Sequence, residues 1–308
     1  MTPTRQGSFH IFRFKGIDVY LHWSWFLVAV YQISMRGTSY SSPAWKVLEY
    51  LGLFLIVLMH EFGHALACRQ VGGTADQIVL WPLGGVAYVN APQRPGATLW
   101  SIAAGPLVNV ALMPIFLGLI VIGHTYGWKQ SHHDLYLFLG MMAFINKWLL
   151  IFNIMPVYPL DGGQILRSLL WYPLGRANSL LVATIVGFLG GAGFIWLLLS
   201  DTEGSNPTDF IWPLALVGFL LMNCWAGFKQ ARALQKIAKL PRHADFSCPS
   251  CKASPPAGQY WGCGQCGKPF DIFTAGGTCP HCGAAHDMAT CVDCGSRNAL
   301  AAWKHPEL

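Results

Sequence analysis

Long uninterrupted apolar stretches dominate the first three quarters of the chain. Six of them are long enough to cross the hydrocarbon layer of a bilayer, which takes about 20 helical residues. These stretches lie at 19–35, 47–68, 98–123, 135–155, 178–200 and 210–228. The pattern therefore predicts an all-α polytopic membrane protein with about six transmembrane helices, of which the first is the shortest.

A different pattern separates the second and third apolar stretches. Two β-prone runs at 78–81 and 86–89 flank a Pro/Gly turn at 82–85, which is typical of a hairpin. Because the runs are apolar, we expect a membrane-associated β-hairpin that dips into the membrane edge, where neighbouring helices protect its backbone. An ordinary loop outside the membrane is the alternative interpretation.

The composition agrees with a membrane protein and divides the chain in two. Of the 308 residues, 53% are hydrophobic and only 11% are charged, whereas soluble domains carry about 25% charged residues. Past Pro241 the apolar stretches end and eight of the ten cysteines follow. We therefore predict a membrane domain at 1–240 and a small soluble β domain at 241–308.

The distribution of Lys and Arg predicts the orientation of the chain. Most of the basic residues in the predicted loops share a face with the N-terminus, and the segment 201–209 on the other face is acidic. By the positive-inside rule, the N-terminus and the C-terminal domain are expected to be cytoplasmic. No signal-peptide cleavage site follows the basic start of the chain. We expect an integral protein of a prokaryotic plasma membrane.

The second apolar stretch contains the motif H-E-F-G-H at residues 60–64. On a helix, positions i and i+4 share one face, so His60 and His64 can bind one Zn²⁺ while Glu61 lies beside it as a base. Ionisable residues inside a membrane helix are costly and usually functional. A purely structural polar cluster is the weaker alternative.

A catalytic zinc site usually takes three protein ligands, and Asp161 is the candidate for the third. It follows the fourth stretch, in a segment broken by Pro156 and Pro159 and followed by two glycines. With the predicted orientation, Asp161 and the H-E-F-G-H motif lie at the same end of their helices, so the three ligands can meet.

These residues resemble the site-2 protease family of intramembrane zinc metalloproteases. The resemblance covers about residues 10–230, and it includes the motif at 60–64 and four further segments. The further segments are 16–24, 82–85, 105–109 and 152–163. Lys147, in the middle of the fourth stretch, departs from the family pattern.

The resemblance implies a hydrolase that cuts a transmembrane protein substrate within a lipid bilayer. His60, His64 and Asp161 would be its zinc ligands and Glu61 its catalytic base. Asn109 and Asn153 are polar groups at membrane depth that could bind the substrate. Hydrogen bonds between helices are an equal alternative for both asparagines.

Four C-x-x-C pairs in the C-terminal region predict two structural zinc sites of four cysteines each, as in tandem zinc ribbons. The simplest arrangement joins neighbouring pairs, although a crossed arrangement stays open. Disulfides are the rival interpretation, which a reducing cytoplasm disfavours. The eight ligands would be Cys248, Cys251, Cys263, Cys266, Cys279, Cys282, Cys291 and Cys294.

The charge of the cysteine-rich region bears on its partners. Acidic and basic residues cancel between 241 and 308, whereas a surface that binds phosphates would be basic. Nucleic acid is therefore not expected, and we favour a protein partner or regulator at the zinc ribbons.

Two other functions are compatible with histidines in a membrane helix. A zinc transporter would need metal-binding residues spread across the membrane, whereas this chain concentrates them at one end. An inactive membrane scaffold would usually have lost Glu61 or a ligand, and none is missing.

Overall fold

The computed structural model describes residues 7–30, 33–34, 40–81, 84–200 and 210–304, and most of them are helical. Strands and helices both occur up to residue 90, whereas the described elements between residues 95 and 238 are all helices. The helices are α1 (Trp25–Val30), α2 (Pro43–Gln70), α3 (Pro95–Thr125), α4 (Trp128–Ser131), α5 (His133–Ile154), α6 (Asp161–Ser200) and α7 (Ile211–Ala238). The first four strands are β1 (Ser8–Phe14), β2 (Ile17–His22), β3 (Thr74–Trp81) and β4 (Gly84–Asn90).

Five helices in the described residues are long and apolar enough to cross a membrane, namely α2, α3, α5, α6 and α7. They correspond to the last five predicted stretches. Helix α6 begins much earlier than the predicted stretch at 178–200, because it includes the polar segment that starts at Asp161. Gly175, with φ of 75°, interrupts the helical backbone between these two parts.

The prediction of a first span at 19–35 is wrong in its first part. Ile17–His22 forms strand β2, in which the side chains of Ile17 and Val19 are fully buried. Buried side chains at every second residue are the period of a strand. The period was not apparent in the sequence because the apolar run is short. The helix that follows covers only Trp25–Val30, and part of 31–39 lies outside the described residues.

The first four β-strands form one sheet in the order β1-β2-β3-β4. The predicted hairpin is therefore only part of a larger sheet. The predicted hairpin itself is confirmed, since β3 and β4 pair antiparallel from Thr74–Asn90 to Trp81–Gly84. Strand β2 pairs parallel with β3 on its other side. Within the described residues β4 pairs with β3 alone, so the other edge of β4, which we call its free edge, has no strand partner, and its Ala87 N–H donates to Glu61.

The sheet packs on helix α2, which carries the H-E-F-G-H motif. Ile17 of β2 and Ile78 and Leu80 of β3 join Val57 and Ala65 of α2 in one buried cluster. Helix α3 in turn contacts α2, α5 and α6. The motif is therefore enclosed between the sheet on one side and α3 on the other.

The cysteine-rich segment contains two small hairpins. Strand β5 (Trp261–Gly262) pairs with β6 (Pro269–Phe270), and β7 (Met288–Thr290) pairs with β8 (Arg297–Ala299). Aromatic side chains, among them Phe273 and the fully buried Trp303, pack between the cysteines. The division into two domains at residue 240 stays a prediction.

Candidate metal centre

Three candidate ligands meet where α2 passes the start of α6. His60 and His64 lie one turn apart on α2, with their Nε2 atoms separated by 3.1 Å. Asp161 is the first residue of α6, and its Oδ2 lies 3.0 Å from Nε2 of His60 and 3.3 Å from Nε2 of His64. Both histidines are buried. The structure thus brings together the three residues that the sequence selected.

The other ring nitrogen of each histidine is held by helix α3. Nδ1 of His64 lies 3.0 Å from the backbone carbonyl oxygen of Ser101, and Nδ1 of His60 lies 2.7 Å from Oδ1 of Asn109. Because a carbonyl oxygen only accepts, His64 carries its proton on Nδ1. In the neutral imidazole, Nε2 then presents a lone pair towards Asp161.

A pair of buried asparagines fixes the proton of His60 in the same way. The Asn146 side chain donates to the backbone carbonyl of Asn109 at 2.9 Å, so its Oδ1 accepts from the Asn109 amide at 2.8 Å. The Asn109 Oδ1 then faces His60, whose Nδ1 must be the donor. Both asparagines are fully buried. Such outer hydrogen bonds orient metal-binding imidazoles.

Asn109 therefore contacts His60 and Asn146, and its predicted contact with substrate stays a prediction. Asn153 lies partly exposed near the end of α5, and its substrate role is likewise untested. Sequence reasoning missed Asn146, although an asparagine inside an apolar stretch was the signal that could have revealed it.

Glu61 follows the first ligand directly and contacts the sheet. Its Oε2 accepts a hydrogen bond of 2.9 Å from the backbone N–H of Ala87 on strand β4. The side chain is buried like those of the two histidines. The carboxylate is thereby held between the candidate ligands and the free edge of the sheet.

A glycine allows α3 to approach the histidines closely. A Cβ on Gly105 would lie 2.3 Å from both Cε1 and Nε2 of His64, and 2.9 Å from Nε2 of His60. Real Cβ atoms are essentially never found under 3.0 Å from another heavy atom. The histidines can occupy their positions only because residue 105 has no side chain.

The arrangement fits a zinc ion. When both imidazoles are neutral with their protons on Nδ1, two Nε2 lone pairs and the Asp161 carboxylate oxygen face one another. Among the described residues that oxygen is buried without a hydrogen-bond partner, and a bound cation would offset the repulsion between the three atoms. Tetrahedral zinc with nitrogen and oxygen ligands at about 2.0–2.1 Å gives ligand separations of roughly 3.3 Å, close to those found.

The eight cysteines of the C-terminal segment form two further groups with metal-ligand spacing. We call Cys248, Cys251, Cys291 and Cys294 the outer cluster and Cys263, Cys266, Cys279 and Cys282 the inner cluster. The shortest Sγ–Sγ separations are 3.6–3.8 Å. Tetrahedral zinc with Zn–S bonds of about 2.3 Å gives roughly 3.8 Å, whereas a disulfide needs about 2.05 Å.

The simplest pairing, which joined neighbouring C-x-x-C motifs, is wrong. The first motif meets the last, and the two middle motifs meet each other, so that one cluster is nested within the other. The reason is that the two ends of the segment run side by side. Ser247 donates its N–H to the Trp303 carbonyl at 2.8 Å, and Phe246 forms a bridge with Lys304.

Backbone hydrogen bonds prepare one cysteine of each cluster for metal binding. The N–H groups of Cys266 and Gln265 lower the pKa of the Cys263 thiol to about 5. Burial raises the pKa of Cys248, but hydrogen bonds from Ser296 and from nearby N–H groups outweigh it and lower that pKa to about 7. Since the thiolate is the metal-binding form, both environments favour a bound cation.

Comparison with known proteins agrees with this geometry. Residues 49–131 and 117–198 match peptidase family M50. A zinc metalloprotease of Methanocaldococcus jannaschii is 32% identical over 58% of this chain and 50% of that protein. The stage IV sporulation protein FB of Bacillus subtilis is 31% identical over 45% of this chain and 46% of that protein.

A solved structure, the site-2 protease from Methanocaldococcus jannaschii, has a TM-score of 0.48 and 24% identity, covering 72% of this chain and 95% of that one. The chain spans between 50% and 60% of the length of the first curated relatives that it matches. The family match runs through the helices that carry His60, Glu61, His64 and Asp161. Over residues 49–198 the chain therefore matches peptidase family M50.

Proposed function

We propose that the protein is an intramembrane zinc metalloprotease that hydrolyses a peptide bond in or near a transmembrane segment of another membrane protein. One observation carries the proposal. Two imidazole Nε2 atoms of α2 and the Asp161 carboxylate oxygen of α6 lie 3.0–3.3 Å apart, with Glu61 next to them, on two helices long and apolar enough to span a membrane. Zinc metalloproteases among the relatives support the same activity.

The residues divide the reaction between them. His60, His64 and Asp161 would hold a zinc ion, which when bound lowers the pKa of a water molecule and polarises a carbonyl group. Glu61 would accept the proton of the attacking water and return it to the leaving amine. The N–H of Ala87 keeps the Glu61 carboxylate in place during both transfers.

The free edge of β4 suggests how the substrate is presented. An amide inside a helix is hydrogen-bonded and shielded, so the substrate must become extended before it can be cut. An extended segment can pair with an exposed strand edge through its own backbone groups. Strand β4 offers such an edge beside Glu61, which supports a role of the β3–β4 hairpin in positioning the scissile bond.

We infer structural zinc ions in the inner and outer clusters, in addition to the catalytic one. The tetrahedral sulfur spacing and the absence of a disulfide among the ten cysteines support this assignment. The orientation with both ends of the chain in the cytoplasm rests on the distribution of basic residues alone. Regulated proteolysis of a membrane-tethered protein fits these inferences.

Cleavage of a panel of transmembrane substrates in liposomes tests the proposal. The wild-type protein is compared with Glu61→Gln, and the zinc content of both is measured by mass spectrometry. Loss of general base catalysis is expected to reduce cleavage by about 10²–10⁴-fold while zinc is retained. Asp76→Asn is the matched control, since the Asp76 side chain is 83% exposed and lies on β3.

The same liposomes distinguish the other functions. Zinc flux across sealed vesicles without cleavage would favour a transporter. Within the described residues, the groups that could hold a metal are the triad and the two cysteine clusters, so the helices offer no series of metal sites. Equal cleavage by wild type and Glu61→Gln would remove Glu61 from the mechanism.

A further inference from the structure

A cleft of about 520 Å³ separates the base of the β3–β4 hairpin from the outer cluster. Residues 72–74 and 90–94 form one wall, and Ser250 with residues 294–296 form the other. We call it the hairpin cleft. It lies between the catalytic part of the chain and the cysteine-rich segment, and neither part forms it alone.

The cysteine-rich wall is fixed to α6 through the backbone of Asp293, in the loop between two outer-cluster ligands, and an ion pair with Arg242 of the same segment holds that loop. The Arg242 guanidinium donates to both carboxylate oxygens of Asp293, at 2.5 and 3.1 Å. Arg176 donates to the backbone carbonyl of the same residue. Because Arg176 lies on α6, which begins with the ligand Asp161, the wall is anchored to the helix that completes the candidate metal centre.

The hairpin cleft is continuous with the strand beside Glu61. Ala87, whose N–H contacts Glu61, and Asn90, which lines the cleft, are both on β4. The two residues are three positions apart, so at about 3.3 Å per residue they lie about 10 Å apart along the strand. A peptide that runs along β4 through the catalytic centre therefore enters the cleft about three residues later.

The lining of the cleft suits an extended peptide. Glycines at 72, 73 and 295 leave backbone groups accessible, and the side chains of Thr74, Asn90 and Ser250 add hydroxyl and amide groups. Gly72 has open space around the position of a Cβ. Such a surface can form hydrogen bonds with the backbone amides and polar side chains of an extended peptide.

We propose that the hairpin cleft binds the segment that flanks the substrate's scissile bond on the side of the membrane where the cysteine-rich segment lies. The outer cluster thus acts as a substrate-binding wall, in addition to stabilising its own fold. This inference rests on the proposed protease function. The occupant is an extended stretch with small polar side chains, beginning about three residues from the cleaved bond.

Site-specific photo-crosslinking tests the proposal on the full-length protein with zinc bound. A photoreactive amino acid replaces Gln93 on one wall or Ser250 on the other, in the Glu61→Gln background so that the substrate stays intact. Lys268 is the control position, because it is exposed on the inner-cluster hairpin and does not line the cleft. Mass spectrometry then locates each adduct on the substrate.

Adducts from both walls are expected on the same flanking segment, with none from Lys268. A second arm uses Asp293→Asn, which breaks the ion pair with Arg242 that holds the loop of this wall. A partly exposed ion pair contributes up to about 1 kcal/mol, so KM should rise about two- to fivefold with kcat unchanged. Asp287→Asn, which removes an exposed carboxylate from the same segment, should leave KM unchanged.

The outcomes separate this proposal from the proposed function. Cleavage by the wild type, combined with no substrate adduct at Ser250, would overturn the binding role of the outer cluster and leave the protease intact. Adducts at Ser250 that map to the opposite flank would overturn it as well. If the wild type cleaves nothing in the panel, the protease function fails and this inference fails with it.

Discussion

Gly105→Ala is the most direct test of the close contact between α3 and the candidate ligands. The added methyl group would lie 2.3 Å from the His64 ring and 2.9 Å from Nε2 of His60. Ordinary carbon contacts are about 3.5 Å or longer, so the His64 ring must move by about 1 Å. A shift of this size moves Nε2 of His64 away from Oδ2 of Asp161, from which it now lies 3.3 Å away.

The expected loss follows from that displacement. Overpacking of a close contact costs about 1–3 kcal/mol of stability, and a misplacement of about 1 Å in an active site can cost about 10²-fold in rate. We therefore expect Gly105→Ala to bind zinc more weakly, as measured by competition with a chelator. Its rate of cleavage should fall by about 10²-fold or more.

Gly118→Ala provides the matched control for this experiment. Gly118 lies on the same helix, and a Cβ there would meet no atom within 4 Å. This variant should bind zinc and cleave like the wild type. If Gly105→Ala also retains wild-type zinc affinity and cleavage, the close approach of α3 to His64 is incorrect.

Three further predictions concern the surroundings of the metal sites. Asn109→Leu removes the acceptor of the His60 Nδ1–H, so zinc affinity should fall about 10–100-fold in chelator competition, and an unchanged affinity would refute the orienting role. Replacing Cys248 and Cys291 together by serine should remove one zinc ion, because both belong to the outer cluster, whereas pairing of neighbouring motifs requires the loss of two. Burial raises the pKa of Asp271, but hydrogen bonds from the Gly258 N–H and from His243 outweigh it and lower that pKa, so its contribution to stability is present above about pH 4 and disappears as the pH falls below its ordinary range. Hydrogen exchange of this loop should accordingly be faster in Asp271→Asn than in wild type at neutral pH, with the difference shrinking in acid.

Much of the candidate site could be predicted from the sequence because its residues violate the local composition. His60, Glu61 and His64 interrupt an apolar helix at helical spacing, and Asp161 follows two prolines that end another. Such exceptions are visible in one dimension. The same rule would have identified Asn146, a polar residue of the largely apolar helix α5 that forms its hydrogen bonds with Asn109 of α3.

The sheet and the nesting of the cysteine clusters depend on contacts between distant segments. Strand β2 is buried only because β3, more than fifty residues later, pairs with it, and a short apolar run alone does not distinguish a strand from a helix. Four identical C-x-x-C motifs carry no mark of their partners. The pairing is decided by the chain ends at Ser247 and Trp303, which meet through the backbone.

The nesting of the two cysteine clusters gives the segment an order of assembly. The inner cluster closes only the stretch from Cys266 to Cys279, whereas the outer cluster closes the stretch from Cys251 to Cys291. The longer loop is roughly three times the shorter one, and its closure costs about 1 kcal/mol more in chain entropy. The inner cluster spans Cys263–Cys282, about half of that longer loop, so binding of the inner metal shortens the stretch that the outer cluster must close, and we expect the outer cluster to close last.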